Sequence, residues 1–386
     1  MNKILTNTIG EISRKLKEDK LTKINAFLGV YYDEKGKLGT LNEINITLKR
    51  NINLNTNTYD EILGSVKFNE LLKKWILKSN NANAVSGYTM GCTGALSFCF
   101  NSYCRNKYLL VPSLRWSNYD LIAQEKEVNL IEYNLINNKK EFDIDDLINK
   151  INHLYLNNTQ INILINDPCH NPSGYSLSED EWKKIINYLN KLIVKEKINL
   201  IIDIAYLHFS NSKLLEILFE EINDKINCIF CYSFSKSFSL YGYRGGGCLL
   251  LSKDKNEREK FKEKLSNFSR STWASSNHLM SDSFCEYIIK YPKKIIKNYK
   301  KVNTILKERA EILIRRCKEN SIDFYPYKEG FFIFLICKNP VTVSKRLLKE
   351  HIYVMPYENG IRISLASIKK KDIAELIEKM SNFILV

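Results

Sequence analysis

Between about residue 84 and residue 252, short apolar or β-branched runs recur among longer stretches of helical spacing. The runs are YLLVP (108–112), NLIEYNL (129–135), INILIN (161–166), INLIID (198–203), NCIFCYS (227–233) and GCLLLS (247–252). Runs of this length, bounded by turn residues, read as strands. Their alternation with helices predicts a mostly parallel sheet covered by helices, an α/β fold. In open sheets of that kind ligands sit at the carboxyl ends of the strands, so the polar residues directly after each run are site candidates.

The pattern changes near residue 280. From Ile295 the apolar positions Ile295, Tyr299, Val302, Leu306, Ala310, Leu313 and Cys317 step by threes and fours, which predicts one long amphipathic helix. Beyond it FFIFLICK (331–338), the amphipathic VSKRLLKEHI (343–352) and GIRISLAS (360–367) read as a smaller α/β unit. Residues 1 to about 50 read as a polar entry segment with one helix and the turn-rich YYDEKGKLGT.

Composition narrows the class. The chain has 386 residues, with 58 Lys+Arg against 43 Asp+Glu, a formal charge of +15. No run approaches the ~18 apolar residues of a spanning helix, so no membrane is expected as a partner. The start, MNKILTNTIG, lacks an apolar signal region, and ten cysteines scattered through apolar stretches read as reduced core thiols. Both point to a cytoplasmic protein. The one CxxC, Cys228 to Cys231, lies in a strand-like run that puts its thiols on opposite faces, and the five histidines show no paired ligand spacing, so no metal is expected. A charge of +15 also allows a nucleic-acid binder. No helix-turn-helix extension or aromatic-interleaved basic segment supports that. Residues 291–386 carry 20 Lys+Arg against 10 Asp+Glu, two thirds of the excess, mostly as lysine on polar helix faces.

Three of the runs end in unusual polar sequence. After INILIN comes DPCHNPSG (167–174), whose two prolines and glycine force a rigid turn presenting Asn171. INLIID ends in Asp203, an acid that is costly to desolvate unless a cation or donor meets it. NCIFCYS runs into FSKSFSLYGYRGGG (234–247), with Lys236 three residues after Ser233 and Arg244 ahead of three glycines, the parts of an anion site that holds a lysine. A fourth element, Thr89 to Ala95, is a small-residue turn feeding an apolar helix, and helix starts suit a phosphate. Its spacing matches neither GxGxxG nor a P-loop.

A lysine, an acid on a neighbouring strand end, a phosphate cradle with an arginine, and an Asn and a Tyr nearby are what pyridoxal phosphate requires. The lysine amine links to the cofactor and later moves the substrate's α-proton. A carboxylate against the ring nitrogen keeps it protonated. At ~4 Å and an effective dielectric of ~20 that pair is worth up to ~4 kcal/mol, roughly three pKa units.

These motifs resemble the fold-type I pyridoxal phosphate enzymes, in particular class I aminotransferases of the aspartate/aromatic type. In order, the resemblance takes in LGVYYDEKGK (28–37), Tyr59-x-x-Ile62-x-Gly64, GCTGAL (91–96), RWSNYD (115–120), CHNPSG (169–174), DIAY (203–206), SFSKSFSLYGYR (233–244), Arg270 and GIRISLAS (360–367). It implies a large domain with a mostly parallel seven-stranded sheet, residues 46–285, a small C-terminal domain, 286–386, and an arm, 1–45, that joins the small domain. Lys236 would be the Schiff-base lysine and Asp203 the partner of the pyridine nitrogen. Asn171 and Tyr206 would donate to the ring phenolate, and Trp116 would stack on the ring. Cys92, Thr93, Ser233 and Arg244 would hold the phosphate, with Tyr59 reaching in from the other subunit of a homodimer. Arg362 would clamp the substrate α-carboxylate beside Gly29 and Asn171. Arg270 matches the arginine that reads a distal carboxylate in dicarboxylate-specific members.

The implied activity moves an amino group between aspartate or an aromatic amino acid and a 2-oxo acid such as 2-oxoglutarate, through a pyridoxamine phosphate intermediate. A β-lyase or decarboxylase on the same fold is the alternative. The chain departs from the family pattern at Cys92, where glycine is usual, at Asn166 and Tyr119, where the best-known members carry histidines, and at Ser173, where threonine is usual.

Overall fold

The computed structural model describes residues 3–21, 24–52, 55–78, 82–157 and 159–384. Met1 and Val386, the outer limits of the first and last expected domains, and the first two residues of the MNKILTNTIG start lie outside the described residues. Two compact units emerge. One comprises residues 40–168 and 177–298, the other the described residues up to Gly39 together with 169–176 and those from Tyr299 onward.

The first unit is built on seven strands: β1 (Ala84–Thr89), β2 (Tyr108–Pro112), β3 (Asn129–Tyr133), β4 (Asn162–Asn166), β5 (Ile198–Asp203), β6 (Ile226–Ser233) and β7 (Gly246–Leu251). They lie in the order β1-β7-β6-β5-β4-β2-β3. The paired neighbours among β2 to β6 run parallel, and β7 runs antiparallel to both β1 and β6. The seven-stranded, mostly parallel α/β architecture is therefore the observed one. All six apolar runs became strands, and β4, β5 and β6 are buried at every position. Strands covered on both faces have no polar face to alternate with, which explains their continuous apolar runs.

β1 was not among the runs. Its sequence AVSGYT is short of apolar residues, and it lies at the sheet edge, where small residues fit against the helix Lys255–Thr272: a Cβ on Gly87 would sit 2.6 Å from Leu265. Register in the centre is pinned by a row of buried asparagines at the amino ends of three strands. Asn199 donates to Asn162 Oδ1 (2.8 Å), Asn227 donates to Asn199 Oδ1 (3.3 Å), and Asn162 donates to the Tyr108 carbonyl (3.0 Å). A slip by one residue would strand these amides in an apolar core. Register at the amino edge fixes where each strand ends at the carboxyl edge, where the candidate residues stand.

In the second unit, Met355–Tyr357, Gly360–Ser364 and Phe332–Ile336 form an antiparallel sheet with Gly360–Ser364 in the middle. A two-residue strand, Ile24–Asn25, pairs in parallel with Ile352–Tyr353. The long helix spans Pro292–Glu319, and all seven periodic positions along it are buried. So is Arg309, which periodicity did not single out. Its guanidinium meets Glu34 (2.8 Å) and donates to the carbonyls of Tyr32 (2.9 Å), Leu365 (2.7 Å) and Ala366 (3.1 Å). A buried cation needs this full set of acceptors. It ties the 31–38 turn to the segment that follows the strand Gly360–Ser364.

Candidate active site

The carboxyl edge of the large sheet gathers the first group of candidates. β5 ends at Asp203, β6 at Ser233, and the reversed β7 begins at this same edge, with Gly246 registered against both Ser233 and Thr89. Topology thus brings Arg244, two residues ahead of β7, to the start of the helix Gly91–Cys99 that follows β1. The approach is close. A Cβ on Gly91, whose φ is +69°, would lie 3.3 Å from Arg244 Nη2, and one on Gly246 would lie 2.7 Å from the Gly91 Cα and 2.5 Å from the Tyr232 carbonyl. Only bare backbone lets the guanidinium reach the helix start. Arg244 is exposed, and its Nη1 donates to Ser235 Oγ (3.2 Å) and the Tyr241 carbonyl (3.0 Å). Thr93 stands half-buried in the helix's first turn and Ser233 is buried at the end of β6. Arginine, hydroxyls and the free N–H groups of a helix start are a donor set suited to a phosphate.

Lys236 follows on the short helix Phe234–Ser237 and is half-buried. Its Nζ stands 5.7 Å from the Tyr206 ring centre and 5.1 Å from that of Tyr241. Asp203 is buried, and burial raises its pKa. Donors oppose that: the Tyr119 hydroxyl to Oδ2 at 2.7 Å, the Ala205 N–H to Oδ1 at 3.0 Å, the Cys92 thiol 3.3 Å from Oδ1, and more weakly the Lys236 charge. Burial, then the Asp203 charge, hold the Tyr119 phenol and the Cys92 thiol well above their ordinary pKa. The single Cys92 S–H is shared between Asp203 Oδ1 and the Cys231 carbonyl at 3.4 Å, and its backbone N–H is what the residue offers an anion. Asn166 donates to the Asp203 main-chain carbonyl at 2.9 Å, not to the carboxylate. The half-buried Trp116 packs on Tyr119 with ring centres 5.6 Å apart, nearly perpendicular.

The sequence marks Tyr119 as a departure and Cys92 as both a departure and a phosphate-site residue, and the convergence of their side chains on Asp203 is visible only once the strands are ordered. His208 was not singled out. It meets the Tyr232 hydroxyl at 2.7 Å, which also accepts from Trp75 at 3.1 Å, and burial pushes the imidazole down to about 3, so it is neutral. The ten cysteines are all free and buried. Among the described residues the sulfurs of Cys99, Cys231 and Cys248 lie within 4.8 Å of one another, a contact of three distant segments that no sequence spacing announces.

The second unit holds the other group. Arg362 is buried in the central strand Gly360–Ser364, with its guanidinium 4.2 Å above the Phe332 ring. Nη1 donates to Asn171 Oδ1 (3.1 Å) and Nη2 to the Phe27 carbonyl (2.8 Å), while Nε is buried without a partner. An unpartnered buried donor on a fixed cation is chemically suited to a carboxylate oxygen. Gly29 is half-buried two residues beyond Phe27. The 169–176 turn is held by His170 Nδ1 against Ser173 Oγ at 2.8 Å, and Ser173 Oγ also accepts the Tyr175 N–H, so serine supplies the hydroxyl expected of threonine.

Tyr59 is 89% exposed, and Arg270, near the end of the helix Lys255–Thr272, is exposed and forms no ion pair among the described residues.

The model of the aminotransferase class I and II family matches residues 22–380. The chain belongs to this family. Its members use pyridoxal phosphate, and the donor set at the sheet edge fits that group. The chain is 28% identical over 262 residues to the mitochondrial aspartate aminotransferase of Saccharomyces cerevisiae, a stretch covering 60% of this chain and 57% of that protein. It is 24% identical over 387 residues to the mitochondrial aspartate aminotransferase of Dictyostelium discoideum, covering 95% and 88%. The crystal structure of an aminotransferase from Anaerococcus prevotii superposes with a TM-score of 0.90 at 25% identity, covering 100% of this chain and 97% of that one. Among the described residues no helix is long and apolar enough to cross a membrane.

Proposed function

We propose that this aminotransferase moves an amino group between aspartate, glutamate or an aromatic amino acid and a 2-oxo acid, as a cytoplasmic homodimer with shared sites. The observation that carries the reading is the buried Asp203 carboxylate at a strand end, with the Lys236 amine on the adjoining turn and Arg244 beside a bare helix start. Ser233, Arg244 and the backbone at Cys92 and Thr93 hold the cofactor phosphate. Asp203 takes the ring nitrogen, Asn171 and Tyr206 the ring oxygen, and Trp116 the ring face. When bound, pyridoxal phosphate supplies an electron sink for the pair left when the substrate α-proton departs.

The chain's own residues do the rest. Lys236 would anchor the cofactor through its amine and, with that amine free, would move the α-proton. Arg362 fixes the α-carboxylate, with Gly29 and Asn171 beside it, so that the proton to be moved is held in one orientation. Arg270 reads a distal carboxylate, and Tyr59 completes the phosphate site of the partner subunit. The exposure of both residues is what a contribution to a neighbouring subunit requires. Ten free thiols support the cytoplasmic placement. A β-lyase or decarboxylase is not favoured, because the relatives are named for amino transfer.

The test is a panel of amino donors with and without 2-oxoglutarate. Consumption of donor that requires the oxo acid, and its loss in Lys236→Ala, is the expected result. Normal turnover in Lys236→Ala overturns the reading, and release of pyruvate and ammonia without an acceptor favours the lyase.

A further inference from the structure

Asp203 presents an electrostatic difficulty. It is buried on β5, and burial favours the neutral acid, yet a partner for a protonated ring nitrogen has to be a carboxylate. Whatever keeps the charge on Asp203 therefore decides whether the ring nitrogen is held as a cation. Around its side chain, the helix Gly91–Cys99 presents Cys92, the helix Asn118–Glu125 presents Tyr119, and the turn after β6 presents Lys236. β6 itself presents Cys231, whose carbonyl lies 3.4 Å from the Cys92 sulfur, and β4 presents the neutral Asn166. Lys236 is the one cation among these groups.

We propose that Tyr119, seconded by the Cys92 thiol, is a positioning residue that keeps the Asp203 carboxylate ionised and aimed at a protonated ring nitrogen. The proposal rests on the pyridoxal phosphate reading and extends it to two side chains that touch Asp203. A carboxylate has about four acceptor sites. Oδ1 is occupied by the Ala205 N–H and the Cys92 thiol, whereas Oδ2 takes the Tyr119 hydroxyl at 2.7 Å, leaving its second lone pair for a further donor. Two donors on one oxygen and one on the other fix the rotation of the carboxylate and select which oxygen meets the ring.

The chemical nature of these donors matters as well. A histidine in place of Tyr119 would titrate near neutrality and add a proton-dependent charge next to Asp203. The phenol and the thiol stay neutral well into the alkaline range, since burial and the Asp203 charge both oppose their ionisation. Their contribution is a fixed pair of dipoles, unchanged across the range in which a histidine would switch.

The experiment is equilibrium binding of pyridoxal phosphate to the full-length protein stripped of cofactor, measured from pH 5 to pH 8 for wild type, Tyr119→Phe, Tyr119→His and Cys92→Ser. Loss of one hydrogen bond to a charged group moves the acid-side midpoint of binding in Tyr119→Phe upward by about one to two pH units, a ten- to hundredfold weaker Kd on that limb. Tyr119→His restores a donor and returns the midpoint to the wild-type value or below. Cys92→Ser, which exchanges a weak S–H donor for a stronger O–H, moves it downward. Cys92→Ser leaves the Tyr119 ring in place and carries its own signed expectation should Tyr119→Phe fail to fold. A Tyr119→Phe protein whose Kd rises by the same factor at every pH, or an unmoved midpoint in both variants, overturns the proposal. A wild-type protein that retains no pyridoxal phosphate at any pH overturns the cofactor reading itself.

Discussion

Replacing Arg362 by lysine separates the geometry of the carboxylate clamp from its charge. The guanidinium is held by Asn171 and the Phe27 carbonyl and lies 4.2 Å above Phe332, which leaves one edge, with the unpartnered Nε, for a ligand. Lysine keeps a positive charge at the position but cannot present two parallel N–H groups, and it leaves Asn171 Oδ1 and the Phe27 carbonyl short of donors. Each hydrogen bond to a charged group contributes about 1.5–3 kcal/mol. Part of that is retained by the ammonium, so a net loss of about 3 kcal/mol is expected, or roughly two decades in kcat/KM. Every amino acid should suffer alike, because all share the α-carboxylate. The assay compares an amino acid with the corresponding amine lacking that carboxylate, following cofactor absorbance in single half-reactions. Arg362→Lys should slow the amino acid about a hundredfold and leave the amine nearly unchanged. Equal losses for both, or a loss under fivefold for the amino acid, would refute the clamp.

Other positions give signed expectations. Arg270→Gln should depress kcat/KM for aspartate far more than for phenylalanine, and equal losses would remove the dicarboxylate assignment. Gly246→Ala places a methyl 2.5 Å from the Tyr232 carbonyl and 2.7 Å from Gly91; overpacking of this kind costs about 1–3 kcal/mol, visible as a lower Tm together with weaker retention of pyridoxal phosphate. His208 has its folded pKa pushed from 6.5 down to about 3, so the unfolded chain binds the extra proton and stability is lost as pH falls from about 6.5 toward 3. At pH 5 that loss is about 2 kcal/mol relative to pH 7.5, and His208→Gln should show a correspondingly smaller drop in urea midpoint between those two pH values.

Most of the large sheet was legible because its strands are buried on both faces, and continuous apolar runs have few other uses. The edge strand Ala84–Thr89 was not, since close packing there selects Gly87 and hydrogen bonds hold the Ser86 and Thr89 hydroxyls, and this composition reads as a turn. The long helix was legible from one apolar stripe, yet Arg309 sits beside Ala310 of that stripe and is buried. No periodicity separates a buried arginine from a solvated one. What distinguishes them is a set of acceptors, here Glu34 and the carbonyls of Tyr32, Leu365 and Ala366, from segments far away in the chain. The same holds for the asparagine row: in sequence each residue is an ordinary polar strand end, and only the side-by-side order of β4, β5 and β6 makes them a row.

The candidate site divides along similar lines. Lys236, Asp203, Asn171 and Arg244 stand in local sequence that announces them, because a turn or a strand end must present each one. The groups that act on these residues come from other elements and depend on strand order. The reversal of β7 is the decisive case: it carries Arg244 to the same edge as Asp203 and Ser233, and the glycines at 91 and 246 let it approach a helix start that the chain passes some 150 residues earlier. Three of the four departures from the family pattern then acquire a common physical meaning. Tyr119 keeps a donor on the Asp203 carboxylate, Ser173 keeps a hydroxyl between His170 and the Tyr175 N–H, and Cys92 adds a donor at a position where glycine has no side chain. At these three positions a side chain with a hydrogen-bonding proton stands in the place of the usual residue, whereas the fourth, Asn166, turns its amide to the Asp203 main-chain carbonyl. A buried carboxylate requires that of its surroundings, because the energy at stake lies in the satisfied lone pairs and not in the identity of the residue that satisfies them.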